Sequence, residues 1–175
     1  MASVMMVTEP SANAHDPKGK GKMKHTLGAT VGRGILAGLG GTVVMTAFQK
    51  LIEMPITGRE DSYDPAVLAE KLLPVHPSDD GARMRLNYAA HFTLGAMWGA
   101  AYGLVAYMGL RGPRAVAVTF GAVYASDLVL TTAIGLAKPW TWSRQDIAID
   151  VVDKFVHVAA TSVLFDQAVG RDNAS

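Results

Sequence analysis

The residues that could do chemistry are ionisable groups standing inside, or at the edge of, otherwise apolar stretches: His91, Asp127, Asp150, Asp153, Lys154 and His157. A charge at membrane depth is costly, so such groups mark a functional site by default. On a helix Asp153 and His157 lie one turn apart, within hydrogen-bond reach. Asp150 and Lys154 have the same spacing and can pair as ions. Asp127 belongs to the preceding apolar segment and faces this cluster if the segments form a bundle. Three chemistries fit these residue types. In the first the polar groups lock helices together. In the second Asp127, Asp153 and His157 relay protons or ions, because His changes charge near neutral pH and burial lifts an Asp toward that range. In the third His91, His157, Asp150 and Asp153 hold a metal. Neither H-E-x-x-H nor E-x-x-H spacing is present, so no metal ligand is assigned and no cofactor is expected. Ser126 and Ser162 lack a G-x-S-x-G setting, and no catalytic residue is assigned. The sequence leans against an enzyme.

Four segments must position these groups. The stretch from His91 to Leu110, HFTLGAMWGAAYGLVAYMGL, carries no charge after His91 and is long enough to cross a bilayer as a helix. Its His91, Gly95, Gly99 and Gly103 recur every fourth residue, the Gly-x-x-x-Gly pattern that lets helix backbones approach closely in membranes. It is expected to be the packing hub. The segment before it, from about Leu27 to Ile52, has the uncharged core GILAGLGGTVVMTAF, with Arg33 and Lys50 reaching to the two interfaces. Gly34, Gly38, Thr42 and Thr46 give it a matching stripe of small residues. A third segment, Ala115 to Ala137, carries Ala117, Gly121 and Ala125 as its small stripe, with Asp127 near its middle. The link KPWTWSR then places Trp140 and Trp142 in an aromatic belt. In the fourth segment, Ile147 to Val169, Asp150, Asp153, His157 and Thr161 share one narrow face with Asp146 just ahead of them. Ile149, Val152, Val156 and Val163 take the opposite face. Such a helix spans a membrane only with its polar face inward.

The loop at residues 53–80 has structure of its own. Asp64-Pro65 reads as a helix start, and AVLAEKLL as a short amphipathic helix with Val67, Leu68 and Leu72 on its apolar face. Ser78-Asp79-Asp80 is a second start signal, so the hub helix is expected to begin near Gly81 and protrude from the membrane.

Composition agrees with a membrane protein of one domain. Of 175 residues half are hydrophobic, 18% are charged, and mean hydropathy is +0.21. The formal net charge of +1 gives no basic face for nucleic acid. There is no cysteine, which excludes disulfides and thiol chemistry. Residues 1–26 read as a polar, disordered tail, with Lys18, Lys20, Lys22 and Lys24 along it. Residues 171–175 form a short tail at the other end. No secretory signal is visible. Cationic residues lean toward the side of the two termini, which places both in the cytoplasm.

The layout resembles the YagU-like family of small bacterial inner-membrane proteins. The similarity covers residues 34–168. It rests on a Gly-rich first helix ending in EMPITGRED, on HFTLGAMWGAAYGL, on IGLAKPW after the third helix, and on DKFVHVAATSVLFD in the last. The resemblance implies a four-helix integral membrane fold and an oligomer, and it transfers no catalytic residue. After His157 this chain has Val158-Ala159-Ala160 where the family pattern has an aromatic-Gly step.

These observations lead to an all-α fold: an integral membrane four-helix bundle at residues 27–170, with spans of about 27–52, 88–110, 115–137 and 147–169. A short amphipathic helix lies in the first loop. Gly34, Gly38, Thr42, Gly95, Gly99, Gly103 and Gly121 are the expected packing residues. The bilayer of the inner membrane is the first partner, with a homo-oligomer or a larger membrane complex beyond it. The leading expectation is a non-enzymatic scaffold, accessory subunit or self-associating bundle. The alternative is a small proton-coupled or ion-conducting transporter using Asp127, Asp153 and His157.

Overall fold

The computed structural model describes residues 26–172. The polar tail at residues 1–25 and the last residues, 173–175, lie outside the described residues. The fold is all-α, and no strand occurs among the described residues. Five helices follow one another: α1 Leu27–Thr57, α2 Asp64–Leu72, α3 Asp80–Tyr107, α4 Gly112–Ala133 and α5 Arg144–Asp172. α1 sits at the centre, packed against α3 on one side and α5 on the other. α4 leans on α5 and α3, and α2 lies on α3.

Helix bounds follow from local chemistry. α1 begins behind Thr26, whose Oγ1 accepts the Ala29 N–H at 3.3 Å. It continues past Ile52 through a π-helical stretch, Gln49–Glu53, to Thr57. Pro55 has no N–H for an ordinary helical bond, and the wider π register carries the chain past it. Gly58 then ends the helix at φ 71°. α3 starts at Asp80 because the Asp79 side chain caps the Ala82 N–H at 2.7 Å. Helix therefore extends well ahead of the span expected from residue 88. α4 stops at Ala133, short of the expected Ala137. The reason is Gly135 at φ 72°: its N–H bonds Thr132 O and the Leu136 N–H bonds Thr131 O, a Schellman close. α5 runs from Arg144 to Asp172, longer at both ends than expected.

α2 is present where the Asp64-Pro65 signal placed it, but Tyr63, not Asp64, stands at the cap. Its first turn is satisfied from α3, since Asn87 Oδ1 accepts the Ala66 N–H at 3.0 Å and Asn87 Nδ2 donates to Ser62 O at 3.0 Å. The buried face is Ala66, Leu68 and Ala69, while Leu72 turns outward. α2 is therefore packed on the bundle by Leu68 between two alanines.

The closest packing lies between α1 and α3. A methyl group added to Gly38 would come within 2.6 Å of the Gly99 Cα, and one on Gly99 within 2.7 Å of the Gly38 Cα. Gly34 against Gly103 and Gly103 against Val31 leave only 2.9 Å. Gly95 admits Thr42 and His157, whose Cβ and Nε2 would lie 3.1 and 3.2 Å from its missing methyl. The two glycine stripes therefore face each other within one chain. The stripe on α4 behaves differently. Ala117, Gly121 and Ala125 are all exposed, and a methyl on Gly121 would touch nothing. Gly121 is thus no packing residue of this bundle, because α4 turns Ala115, Thr119 and Val123 inward instead.

The bundle buries polar as well as apolar groups. Large apolar side chains face outward along the helices, among them Leu36 (70% exposed), Val129 (69%) and Ile56 (78%). Buried positions include Thr42, Thr119, Asp153, His157, Thr161 and Ser162. α1 and α4 are long and apolar enough to cross a membrane, each with a mean hydropathy of 1.5 over its most apolar stretch. Only 28% and 17% of those stretches are buried, so both helices present most of their apolar length outward.

Candidate functional site

The bundle has a closed half and an open half. In the closed half, toward the start of α1 and the end of α5, the glycine contacts seal α1 to α3. Tyr102, Phe165 and Val158 fill the space beside them, with the Tyr102 and Phe165 rings edge to face at 5.4 Å. The Tyr102 hydroxyl pairs with Ser162 Oγ at 2.8 Å. The open half holds a cavity of about 550 Å³, lined from Met45 onward in α1, up to Trp98 in α3, from Asp127 in α4 and as far as His157 in α5. All four long helices enter it from their ends nearest the 58–63 and 134–143 loops.

Its walls are acidic. Glu53, Glu60, Asp61, Asp64, Asp127, Asp146, Asp150 and Asp153 all line it, against Lys50, Arg59 and Lys154. The basic groups are largely taken. Lys50 pairs with Asp61 at the mouth. Lys154 pairs with Asp150 on its own helix and with Asp127 on α4 at 3.1 Å, and its Nζ stands 5.4 Å from the centre of the Tyr124 ring. Asp127 thus faces α5, through Lys154. Asp146 sits at the rim, where the Ser143 hydroxyl and then the Ser143 backbone N–H hold its carboxyl below the usual carboxylate range.

Asp153 and His157 form a second cluster facing α1. They do not bond each other as the one-turn spacing predicts. Asp153 Oδ2 accepts from Gln49 Nε2 at 2.8 Å, and His157 Nε2 donates to Gly38 O at 3.1 Å. The reason is the partner helix: the π stretch brings Gln49 to Asp153, and the glycine stripe bares a carbonyl to His157. The Trp98 ring lies edge to face on His157 at 5.2 Å. His91 belongs to neither cluster. Its Nε2 pairs with Thr46 Oγ1 at 3.2 Å and ties α3 to α1.

One feature of this site is a shortage of donors. Asp153 and His157 are 8% and 1% exposed, and Asp153 Oδ1 and His157 Nδ1 have no hydrogen-bond partner among the described residues. Asp150 Oδ2 is in the same position. With Nε2 donating to Gly38, Nδ1 of a neutral His157 is an acceptor, so all three atoms accept and none gives. Unpaired acceptors of this depth are expensive to bury.

The sequence spacing found His91, Asp127, Asp150, Asp153, Lys154 and His157, all of which line the cavity. It did not find Gln49, Glu53 or Trp98, which enter because a π stretch and a glycine approach turn them inward. Trp142, assigned to an outer belt, lines the cavity, while Trp140 is exposed. Among the described residues no group of three His, Asp or Glu side chains is arranged to hold a metal ion. No family model, no curated protein and no solved structure matches this chain.

Proposed function

We propose that the chain is a four-span inner-membrane protein whose acidic half-bundle cavity receives a cation, and that it belongs to the carrier class rather than to the enzymes. The outward apolar faces of the helices support the membrane placement. α3 and α5 join α1 and α4 as spans in this reading, since their polar groups point into the bundle or lie at one end. Both described ends of the chain then lie on one side, with the Arg111–Arg114 turn, and the cavity opens to the other. A cytoplasmic position for the termini follows from the cationic tail and turn. The likeness to the YagU-like family fits the same four-span plan.

The observation that carries the cation reading is the donor shortage at Asp153, His157 and Asp150 in an acidic, aromatic-walled cavity. Buried carboxylates need a positive partner, and of the lining lysines Lys154 is held by Asp127 and Asp150 and Lys50 by Asp61. Isothermal titration of the purified chain in detergent with K⁺, Mg²⁺ and methylammonium, together with a proton-uptake titration, tests it. At least one of these cations is expected to bind one to one, and Asp153→Asn to weaken it about tenfold. A chain that takes up none of them, protons included, is not a cation carrier.

A second reading, a self-associating bundle or accessory subunit, is favoured by one surface. The Ala117, Gly121 and Ala125 stripe is free on the outside of α4, whereas the α1 and α3 stripes are consumed within the chain. Gly121→Leu tests it: cross-linking in membranes should lose an oligomer that the parent shows.

A further inference from the structure

Resting on the cation-cavity reading, we infer that the cation is an organic ammonium, a protonated primary amine with an apolar body, and not a bare metal ion. The protein already displays the chemistry in its own chain. Lys154 is a primary ammonium held in this cavity by two carboxylates, Asp127 and Asp150, with the Tyr124 ring beside it. An ammonium carries three N–H donors, and a carboxylate pair with an aromatic face satisfies both its charge and its hydrogen bonds.

The second cluster repeats these components without an ammonium of its own. Asp153 offers Oδ1 and His157 its Nδ1, two deeply buried acceptors on one face of α5 with no donor among the described residues. Glu53 adds a carboxylate from α1, itself 8% exposed and accepting from the Thr57 hydroxyl at 2.7 Å. Trp98 supplies the aromatic wall, as Tyr124 does for Lys154. A volume of about 550 Å³ is far larger than a metal ion requires and falls within the range of small-molecule pockets, roughly 300–1,000 Å³. Met45, Leu94, Trp98 and Trp142 give the apolar part of such a ligand a wall to lie against.

Competition between probes tests this on the full chain in detergent, read by tryptophan fluorescence and by isothermal titration. The probes are phenethylamine, its neutral counterpart phenethyl alcohol, and K⁺. Phenethylamine is expected to bind at least about tenfold more tightly than either, and to lose about tenfold in Asp153→Asn. Glu53→Gln, on a different helix, gives the same loss where Asp153→Asn fails to fold. Trp98→Leu is expected to weaken phenethylamine and leave K⁺ unchanged. Asp153-dependent binding of K⁺ or protons with no preference for phenethylamine overturns the ammonium inference and leaves the cation cavity standing. Equal binding of phenethyl alcohol also overturns it, since charge is then not recognised. No binding of any probe, with no proton uptake, removes both.

Discussion

Lys154 is the residue on which the acidic site most depends. It neutralises Asp127 and Asp150 together, and all three side chains are at most a quarter exposed. Removing one member of a buried charge set leaves the others uncompensated, at a cost of about 3–5 kcal/mol. Lys154→Met is therefore expected to lower the stability of the purified chain by about that much in detergent unfolding. Adding Asp127→Asn to it should recover part of the loss, because only Asp150 then remains unpaired. Equal stability of parent and Lys154→Met would mean that solvent, not Lys154, satisfies these carboxylates. This triad was legible in the sequence because its i,i+4 half is fixed by helix geometry. The Asp153 and His157 pairings were not legible. Each depends on an atom of another helix, Gln49 Nε2 and Gly38 O, that no local spacing reveals.

At the scale of elements, the helices differ in what their glycines do. Gly99 faces the Gly38 backbone, whereas Gly121 faces outward with nothing near it. Gly99→Ala should cost about 1–3 kcal/mol through overpacking. Gly121→Ala should be neutral or gain up to about 1 kcal/mol from helix propensity. Side-by-side unfolding of the two variants measures this, and equal effects would contradict the α1–α3 contact. Stripes at i+4 spacing were readable on α1, α3 and α4 alike, yet periodicity states only that a face exists. Which face turns inward is decided by neighbours, and against α3 and α5 the helix α4 buries Ala115, Thr119 and Val123 in place of its small-residue stripe. The π stretch was hidden for a similar reason: Pro55 marks a disturbance but not its register. Asn87 offers a further test at this scale. It bonds both the first turn of α2 and the loop before it, so Asn87→Ala should speed amide exchange across residues 58–73 and leave α5 unchanged.

For the whole molecule, the all-helical plan with its short helix in the first loop was readable from length and hydropathy. The cavity was not, since it arises from four helix ends meeting and appears in no single segment. Its position gives the bundle a polarity along its axis: glycine contacts and the Tyr102–Phe165 core close one half, and acidic residues open the other. That asymmetry is the feature on which the proposed cation cavity rests.

The most direct test uses the absence of native cysteine. Single substitutions Gln49→Cys and Leu136→Cys line the cavity, while Leu36→Cys and Val129→Cys lie on the outward apolar face. In intact membranes a charged, membrane-impermeant thiol reagent should modify the first pair from one side only and leave the second pair unreacted. In detergent-free unfolded chain all four should react alike. Modification of Leu36→Cys and Val129→Cys as fast as the cavity positions would show that water surrounds the bundle, and the membrane-embedded cation cavity would have to be abandoned.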